Sequence, residues 1–283
     1  STMDGTADEI YANSLSAGQE KNEKLIGKVL SSGHTSVLEH CYVNLSFENV
    51  SVLAEQFLIE FRLASFTVKS RRYVDFSKAG YVSPVFTANV QMAIFERTVE
   101  SLFGTYDVLE AAGVPKEDAR FVLPYCFCSN FFCSMNAREL VHVMNELAYG
   151  RGSRIPELRA LGESLFAQCE QQIPFLAVRK PEAYRQSDAF CLRQVQLLTS
   201  KAPVTVLAAP QDAEGLICGA YQLARGYVPQ PLTEPEQTAL LKSLLAQPRK
   251  RELEQASYTL QFGGLSLAAL TPLTRHRMQA HCV

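Results

Sequence analysis

An internal repeat constrains the fold more than any other feature of the sequence. Residues 25–62 align without a gap on residues 240–277, at a constant offset of 215 positions. The identical pairs are Leu25/Leu240, Leu30/Leu245, Leu38/Leu253, Glu39/Glu254, Leu45/Leu260, Phe47/Phe262, Ser51/Ser266, Ala54/Ala269, Leu58/Leu273 and Arg62/Arg277. Because chance seldom keeps apolar spacing and polar identities together over such a length, we predict that one structural module occurs twice.

Three elements are predicted for the repeated segment. Apolar spacing from Asn22 to Leu30 indicates an amphipathic helix, and alternation from Tyr42 to Glu48 indicates a strand. A second helix is predicted to follow Ser51, and Ser266 in the second copy, because serine is a favoured N-cap residue.

The region between the two copies is predicted to be mainly helical. We expect a long helix over residues 88–112, helical segments over 116–123, 136–149 and 156–172, a strand from Val204 and a helix over 212–225. The combined pattern favours an α+β fold, an antiparallel sheet with packed helices, that is built twice.

A boundary between the copies is expected near residues 200–203. The first module is then residues 1–200 and lacks an opening strand and helix, and residues 201–283 form the start of the second module. Because both ends of the sequence fall inside a module, we expect a fragment of a longer tandem protein.

Composition and charge exclude several classes of protein. A chain with 47% hydrophobic and 20% charged residues is typical of globular proteins, and a net charge of −2 gives no general attraction to nucleic acid polymers or membranes. No apolar run approaches the ~20 residues that span a bilayer. The eight cysteines are scattered through a chain too large to need disulfide bonds, which favours a reducing, cytoplasmic location. No pair of them has zinc-finger spacing with partner histidines.

Four stretches of the first module resemble one family, the flavin-dependent thymidylate synthases. Residues 34–40 resemble its H-x-[ST]-x-x-E-H segment, and residues 60–73 resemble its signature R-H-R-x-x-S-x-N-E-x-S-x-R-Y. Residues 119–124 resemble A-R-x-x-L-P, and residues 136–138 resemble the N-x-R segment. Each motif alone is weak, but their conjunction in the family's order is specific.

The first module departs from this family at several positions. Glu60 and Phe61 stand where the family has the first Arg and the His of R-H-R, so a cation and an imidazole are replaced by a carboxylate and a phenyl ring. Val68 stands in place of the family's Glu. Leu147 aligns with a nucleotide-binding Arg, which is lost unless Arg151, Arg154 or Arg159 takes its place.

The second module keeps the triplet that the first lacks. Arg275, His276 and Arg277 form an intact R-H-R at the equivalent position. Family members are homotetramers with active sites built from several subunits, so a tandem chain could divide the motifs between its two copies. We therefore expect each chain to be a pseudo-dimer, and two such chains to assemble into a homo-oligomer that is a pseudo-tetramer.

The resemblance implies reductive methylation of dUMP, with methylenetetrahydrofolate as the one-carbon donor, FAD as the cofactor and NADPH as the reductant. It implies cofactor contacts from Ser36, Glu39, Arg62, Asn136, Arg138, His142, Arg275, His276 and Arg277. It implies substrate contacts from Ser70, Arg72 and Arg120. Arginine suits these tasks because its charge is permanent and its donors are bidentate.

Structural explanations stay open beside the functional ones. Arg120 and Arg138 could be surface ion-pair partners of Glu117 or Glu139, and the R-H-R triplet could be a solvated helical turn. Buried thiols are favoured over a metal cluster for Cys126, Cys128 and Cys133, which lie among phenylalanines. The alternative function is an inactive relative that binds nucleotide or flavin, or serves as an assembly partner.

Overall fold

The computed structural model describes residues 4–185, 203–276 and 279–280, without the side chains of residues 267 and 268. The chain forms two compact units, residues 1–191 with 271–283, and residues 192–270. The first unit contains α1 (Ala7–Ala17), α2 (Gln19–Ser31), β1 (Tyr42–Ser51), α3 (Val52–Ile59), β2 (Ala64–Val68), α4 (Asn89–Ala111), α5 (Lys116–Ala119), β3 (Cys128–Asn136), α6 (Ala137–Ala148), α7 (Pro156–Gln172) and α8 (Pro181–Tyr184). Short 3₁₀ turns cover Thr35–His40, Arg120–Val122, Arg151–Arg154 and Pro174–Leu176.

The sheet of the first unit has three antiparallel strands in the order β1-β3-β2. Tyr42 pairs with Asn136 at one end of β1, and Ala64 pairs with Met135 on the other side of β3. The ladder between β1 and β3 is interrupted between Phe47 and Val50. This arrangement places β2, and the loop that follows it, at one edge of the sheet.

The central strand β3 was not predicted from the sequence. Its side chains alternate between buried and exposed, with Phe131 and Cys133 buried and Phe132 exposed. Because consecutive phenylalanines are both apolar, the period of two is hidden in the sequence. Burial raises the pKa of the Cys133 thiol to about 12, and also raises the pKa of the half-buried Cys126 and Cys128.

The main core lies where α3, α6 and α7 pack with the sheet. It includes Leu58, Met135, Leu140, Met144, Leu147, Leu158 and Phe166, each fully buried. At an apolar coefficient of about 25 cal/mol per Å², full burial of one such side chain contributes roughly 1.5–3 kcal/mol. A second cluster forms around Tyr106 of α4, with Phe76, Ala119, Leu123 and Phe127.

Helix starts in this unit follow the expected capping chemistry. The Ser51 hydroxyl accepts a hydrogen bond from the Ala54 amide at 3.1 Å, which confirms Ser51 as the N-cap of α3. Ser51 also donates through its amide and its hydroxyl to the carboxylate of Glu157, at 2.7 and 2.6 Å. The start of α3 is thereby tied to the first turn of α7.

The described part of the second unit is a two-stranded sheet with helices. Its elements are β4 (Val204–Ala208), α9 (Ala213–Leu223), α10 (Glu234–Ala246) and β5 (Thr259–Phe262), with a 3₁₀ turn over Arg251–Gln255. α11 (Leu267–Thr274) begins in this unit and ends in the first. At the start of α11, the Ala269 amide donates to the Ser266 hydroxyl at 3.2 Å. β4 and β5 pair antiparallel, with Val204 opposite Phe262.

The predicted mixture of helices with antiparallel sheets is therefore confirmed. The predicted boundary near residues 200–203 falls largely on residues outside those described. In the described ranges, no helix combines the length and the apolar character that crossing a membrane requires.

Candidate active site

A cavity rich in positive charge lies in the first unit, beside the loop that follows β2. It has a volume of about 400 Å³. Its lining consists of Val68, Lys69, Ser70, Arg71, Arg72, Arg120, Thr271, Pro272 and Arg275. Five of these residues are cations, so this cavity is the strongest candidate in the described chain for binding an anion.

Three separate segments bring the cations together. The loop leaves β2 at Val68 and presents four consecutive polar residues, 69–72. Arg120 begins the 3₁₀ turn after α5, and its Nε donates to the backbone carbonyl of Glu117 at 2.9 Å. Arg275 follows the last turn of α11, where Thr271 is buried and its hydroxyl lies 3.0 Å from the hydroxyl of Tyr125.

The electrostatics of this cavity favour a negatively charged ligand. Burial lowers the pKa of Arg120, and the neighbouring charges of Arg71, Arg72 and Arg275 lower it further, while Glu117 opposes the shift. Like charges that lie close together repel one another, so an anion that enters the cluster stabilises it. Bidentate arginine donors match the geometry of a phosphate group.

Three of the cations are paired with carboxylates. The Arg72 guanidinium pairs with Glu117 at 2.8 Å, and both side chains are about half exposed. Arg71 pairs with Glu55 at 2.5 Å, where the carboxylate is fully buried. Arg275 also pairs with Glu55, at 3.7 Å.

A second cavity, of about 430 Å³, adjoins the first through Val68 and Arg275. Its lining consists of Ile59, Phe61, Arg62, Ala64, Phe66, Thr67, Val68, Thr274 and Arg275. Apolar and aromatic side chains predominate, and the cations Arg62 and Arg275 supply positive charge. A planar apolar ring that carries an anionic group matches this lining.

The substituted residues of the signature have new partners. Glu60 forms an ion pair with Arg151 at 2.9 Å, so the repulsive charge expected at position 60 is compensated within the unit. The buried ring of Phe61 contacts the His142 ring edge to face, with centroids 5.4 Å apart. His142 Nδ1 in turn lies 2.8 Å from the Tyr184 hydroxyl. His142 thus lies behind Phe61, which itself lines the second cavity.

Other predicted cofactor residues lie elsewhere on the first unit. Arg138 pairs with Glu39, and neither of them lines either cavity. The partner of Arg138 is therefore not Glu139, the residue considered from the sequence. Ser36 is exposed on the 3₁₀ turn that carries Glu39. The Asn136 side chain accepts a hydrogen bond from the Glu139 amide at 2.9 Å, so it caps α6.

The predicted residues are thus brought together in part. Ser70, Arg72, Arg120 and Arg275 share the first cavity, and Arg62 and Arg275 share the second. His276 is exposed, and Arg277 lies outside the described residues. Three residues at the first cavity were not predicted from the sequence: Lys69, Arg71 and Glu55. The family signature leaves the first two positions free and does not reach the third.

The chain is similar in sequence to one family of known proteins. The family described as thymidylate synthase complementing protein, Thy1, matches residues 3–175. The chain belongs to the Thy1 family. A flavin-dependent thymidylate synthase of Nitratidesulfovibrio vulgaris is 31% identical to this Thy1 chain over 215 residues, which is 72% of this chain and 79% of that protein. The family and the type of enzyme predicted from the sequence are thereby confirmed.

Two further proteins match this chain over shorter stretches. A flavin-dependent thymidylate synthase of Geobacter sulfurreducens is 39% identical over 121 residues, 41% of this chain and 52% of that protein. A solved structure, a UMP/dUMP methylase PolB from Streptomyces cacaoi bound with 5-Br dUMP, is 23% identical. It covers 59% of this chain and 85% of its own, with a TM-score of 0.48.

Proposed function

We propose that this Thy1 chain is a flavin-dependent thymidylate synthase that methylates dUMP to dTMP, with methylenetetrahydrofolate and NADPH as co-substrates. The observation that carries the proposal is the cationic cavity. It joins Ser70, Arg72 and Arg120 of the first copy with Arg275 of the second copy. The reaction is inferred from the name of the relatives, flavin-dependent thymidylate synthase. The cationic lining of the cavity suits the phosphate of a nucleotide.

The substrate residues have distinct tasks in this proposal. Ser70 and Arg72 lie on the loop after β2 and donate to the phosphate of dUMP, where a permanent cation gives strong, charge-assisted hydrogen bonds. Arg120 approaches from the 3₁₀ turn after α5 and neutralises negative charge, including charge that develops on the pyrimidine. These residues bind and orient the nucleotide, and no protein nucleophile is required.

The residues around the second cavity fit a flavin in character. Phe61 and Phe66 offer aromatic walls for a planar ring, and Arg62 and Arg275 offer positive charge for a diphosphate. When bound, the flavin supplies the hydride for the reductive methylation. The side chain of Phe61 excludes water from this wall, since it is buried and packs against His142.

Several further cofactor contacts belong to the proposal as predictions. Four of these residues line neither cavity, so we propose that they serve a flavin site of another chain in a homo-oligomer: Ser36, Glu39, Asn136 and Arg138. His276 and Arg277 would act with Arg275. A cytoplasmic location is proposed with the activity.

Duplication of the module is proposed together with this function. The bounds of α2, Gln19–Ser31, and of α10, Glu234–Ala246, differ by the same 215 positions that separate the repeated sequences. The same offset relates α3, Val52–Ile59, to α11, Leu267–Thr274, and each helix is capped by a serine. This agreement supports a tandem protein with modules at residues 1–200 and from 201 onward.

One observation favours the alternative, a relative that binds ligand without turnover. Glu60 occupies the position of a family arginine and is held by Arg151 at 2.9 Å, so the first copy has no cation at position 60 to offer. If Arg275 does not replace it, a nucleotide can bind at the loop after β2 without a working flavin site.

An FAD titration of the full chain tests the proposed function. Flavin absorbance near the usual ~450 nm band, followed with and without dUMP, should show tight binding that dUMP perturbs. Subsequent NADPH should reduce the bound flavin, and methylenetetrahydrofolate should then permit formation of dTMP. Nucleotide binding without any flavin binding would instead establish the non-catalytic relative.

A further inference from the structure

The carboxylate of Glu55 is the most deeply buried charge next to the cationic cavity. Its side chain has no solvent exposure, and it lies on α3 rather than on the cavity wall. A buried carboxylate is costly unless its oxygens are paired and hydrogen-bonded. The residues that contact the Glu55 carboxylate therefore show which groups it positions.

Both oxygens of Glu55 are occupied. Oε1 accepts from Nη2 of Arg71 at 2.5 Å and lies 3.7 Å from Nη2 of Arg275. Oε2 accepts from the hydroxyl of Ser129, on the central strand, at 2.5 Å. The Gln56 amide approaches Oε1 at 3.4 Å. Glu55 thus links the sheet to two arginines, Arg71 and Arg275, that lie far apart in the sequence.

Arg71 has donor capacity beyond this pair. Its side chain keeps 9% of its exposure and lines the cavity, and its buried Nε has no hydrogen-bond partner among the described residues. A guanidinium has five N–H donors, and buried donors without a partner are unfavourable. The Arg71 guanidinium is thus fixed by Glu55 and still has unused N–H donors at the cavity. This arrangement suits the binding of an anion in the cavity.

We propose that Glu55 is a positioning residue that orients Arg71 and Arg275, and that Arg71 is a further binding residue for the phosphate of the nucleotide. This inference rests on the proposed function for the identity of the ligand, a phosphate monoester. Glu55 fixes Arg71 through a short ion pair and draws Arg275 toward the same point. The phosphate then meets two cations whose rotamers are already set, which lowers the entropy cost of binding.

The direction in which Glu55→Gln changes phosphate affinity distinguishes a positioning role from a purely electrostatic one. A negative charge beside an anion site repels the anion, so its removal by Glu55→Gln should tighten phosphate binding if charge alone matters. If Glu55 positions the arginines, the same change should weaken binding, because the neutral amide no longer holds two guanidinium groups.

The experiment measures the affinity of the full chain for inorganic phosphate and for dUMP by calorimetric titration. We expect Glu55→Gln to weaken both by about tenfold, the scale of one lost charged hydrogen bond. In turnover, the KM for dUMP should rise while kcat changes little. Equal or tighter binding in Glu55→Gln would overturn the proposal.

Two further variants keep the test decisive if Glu55→Gln does not fold. Glu55→Asp keeps the charge but shortens the reach, and Ser129→Ala removes the hydroxyl that holds Oε2; each should weaken phosphate binding several-fold. Unchanged affinity in both would contradict positioning. Glu117→Gln is the matched control, because Glu117 also pairs with a cavity arginine but is half exposed. It should leave phosphate affinity unchanged or raise it.

Failure of the proposed function gives a different result. If the unmodified chain binds phosphate but not dUMP, the proposed substrate is wrong, while loss of phosphate affinity in Glu55→Gln still supports positioning. If the unmodified chain binds neither ligand, both proposals are overturned.

Discussion

Arg275 lies 3.7 Å from the buried carboxylate of Glu55, although the two residues come from opposite ends of the sequence. In the sequence alignment of residues 25–62 with residues 240–277, Arg275 is the counterpart of Glu60. A carboxylate at position 60 is therefore matched by a cation at position 275, and that cation lines both cavities. Under the proposed duplication, this relationship gives a site to which both copies contribute.

Loss of the Arg275 side chain should weaken nucleotide binding. Arg275→Ala removes one charged donor from both cavities, so we expect the Kd for dUMP to rise about tenfold or more, with weaker FAD binding as well. Calorimetric titration with dUMP and absorbance titration with FAD measure the two effects. Arg249→Ala, at an exposed cation of the same copy, is the control and should leave both affinities unchanged.

The Glu60–Arg151 ion pair should respond to a charge swap. Glu60→Arg places two cations together and should destabilise the fold by about 1 kcal/mol, the upper range for partly exposed pairs. The double variant Glu60→Arg with Arg151→Glu should recover most of that loss. Urea unfolding of both single variants and the double variant gives the coupling free energy. A coupling of zero would show that the pair does not form in solution.

Asn136 should contribute to stability as the N-cap of α6. Asn136→Ala leaves the Glu139 amide without its acceptor, so the free energy of unfolding should fall by about 1 kcal/mol. Asn136→Asp preserves an acceptor and should retain stability. FAD affinity, measured on the same variants, tests the predicted cofactor contact: retained stability with lost FAD binding in Asn136→Asp would place the Asn136 amide against the flavin.

Thiol labelling should distinguish Cys133 from Cys41. Cys133 is buried on the central strand, and burial raises its pKa to about 12, so its reactive thiolate is scarce between pH 7 and about 9. Iodoacetamide should modify the exposed Cys41 in the native chain and should modify Cys133 after unfolding in urea. Peptide mass mapping reads out both sites. Native labelling of Cys133 as fast as Cys41 would contradict the placement of β3.

Helices were predicted from the sequence more completely than the sheet. Residues 88–112 and 156–172 were assigned correctly, because long apolar periodicity, Gly113 and Pro156 specify both length and ends. β3 was missed because adjacent Phe131 and Phe132 interrupt the alternation of apolar and polar residues, and β2 because it lies inside a segment read as a binding motif. Both β2 and β3 form because they pair with strands distant in sequence, and local propensity does not determine them.

The site was predicted in part for a related physical reason. Ser70, Arg72 and Arg120 were found through the family motifs, and Arg275 through the repeat. Glu55 could not be identified as a site residue, because its role depends on contacts with Ser129 and Arg71 that only the folded chain creates. The compensation of Glu60 by Arg151 likewise depends on the loop after α6, which sequence alignment alone does not place.

The most direct measurement is dTMP formation by the purified full chain with dUMP, FAD, NADPH and methylenetetrahydrofolate. We predict that dTMP forms only when all four are present, and that Arg275→Ala lowers the rate at subsaturating dUMP by about tenfold while Arg249→Ala does not. A flavin-loaded chain that binds dUMP but produces no dTMP would contradict the proposed activity. Full activity in Arg275→Ala would contradict the shared site.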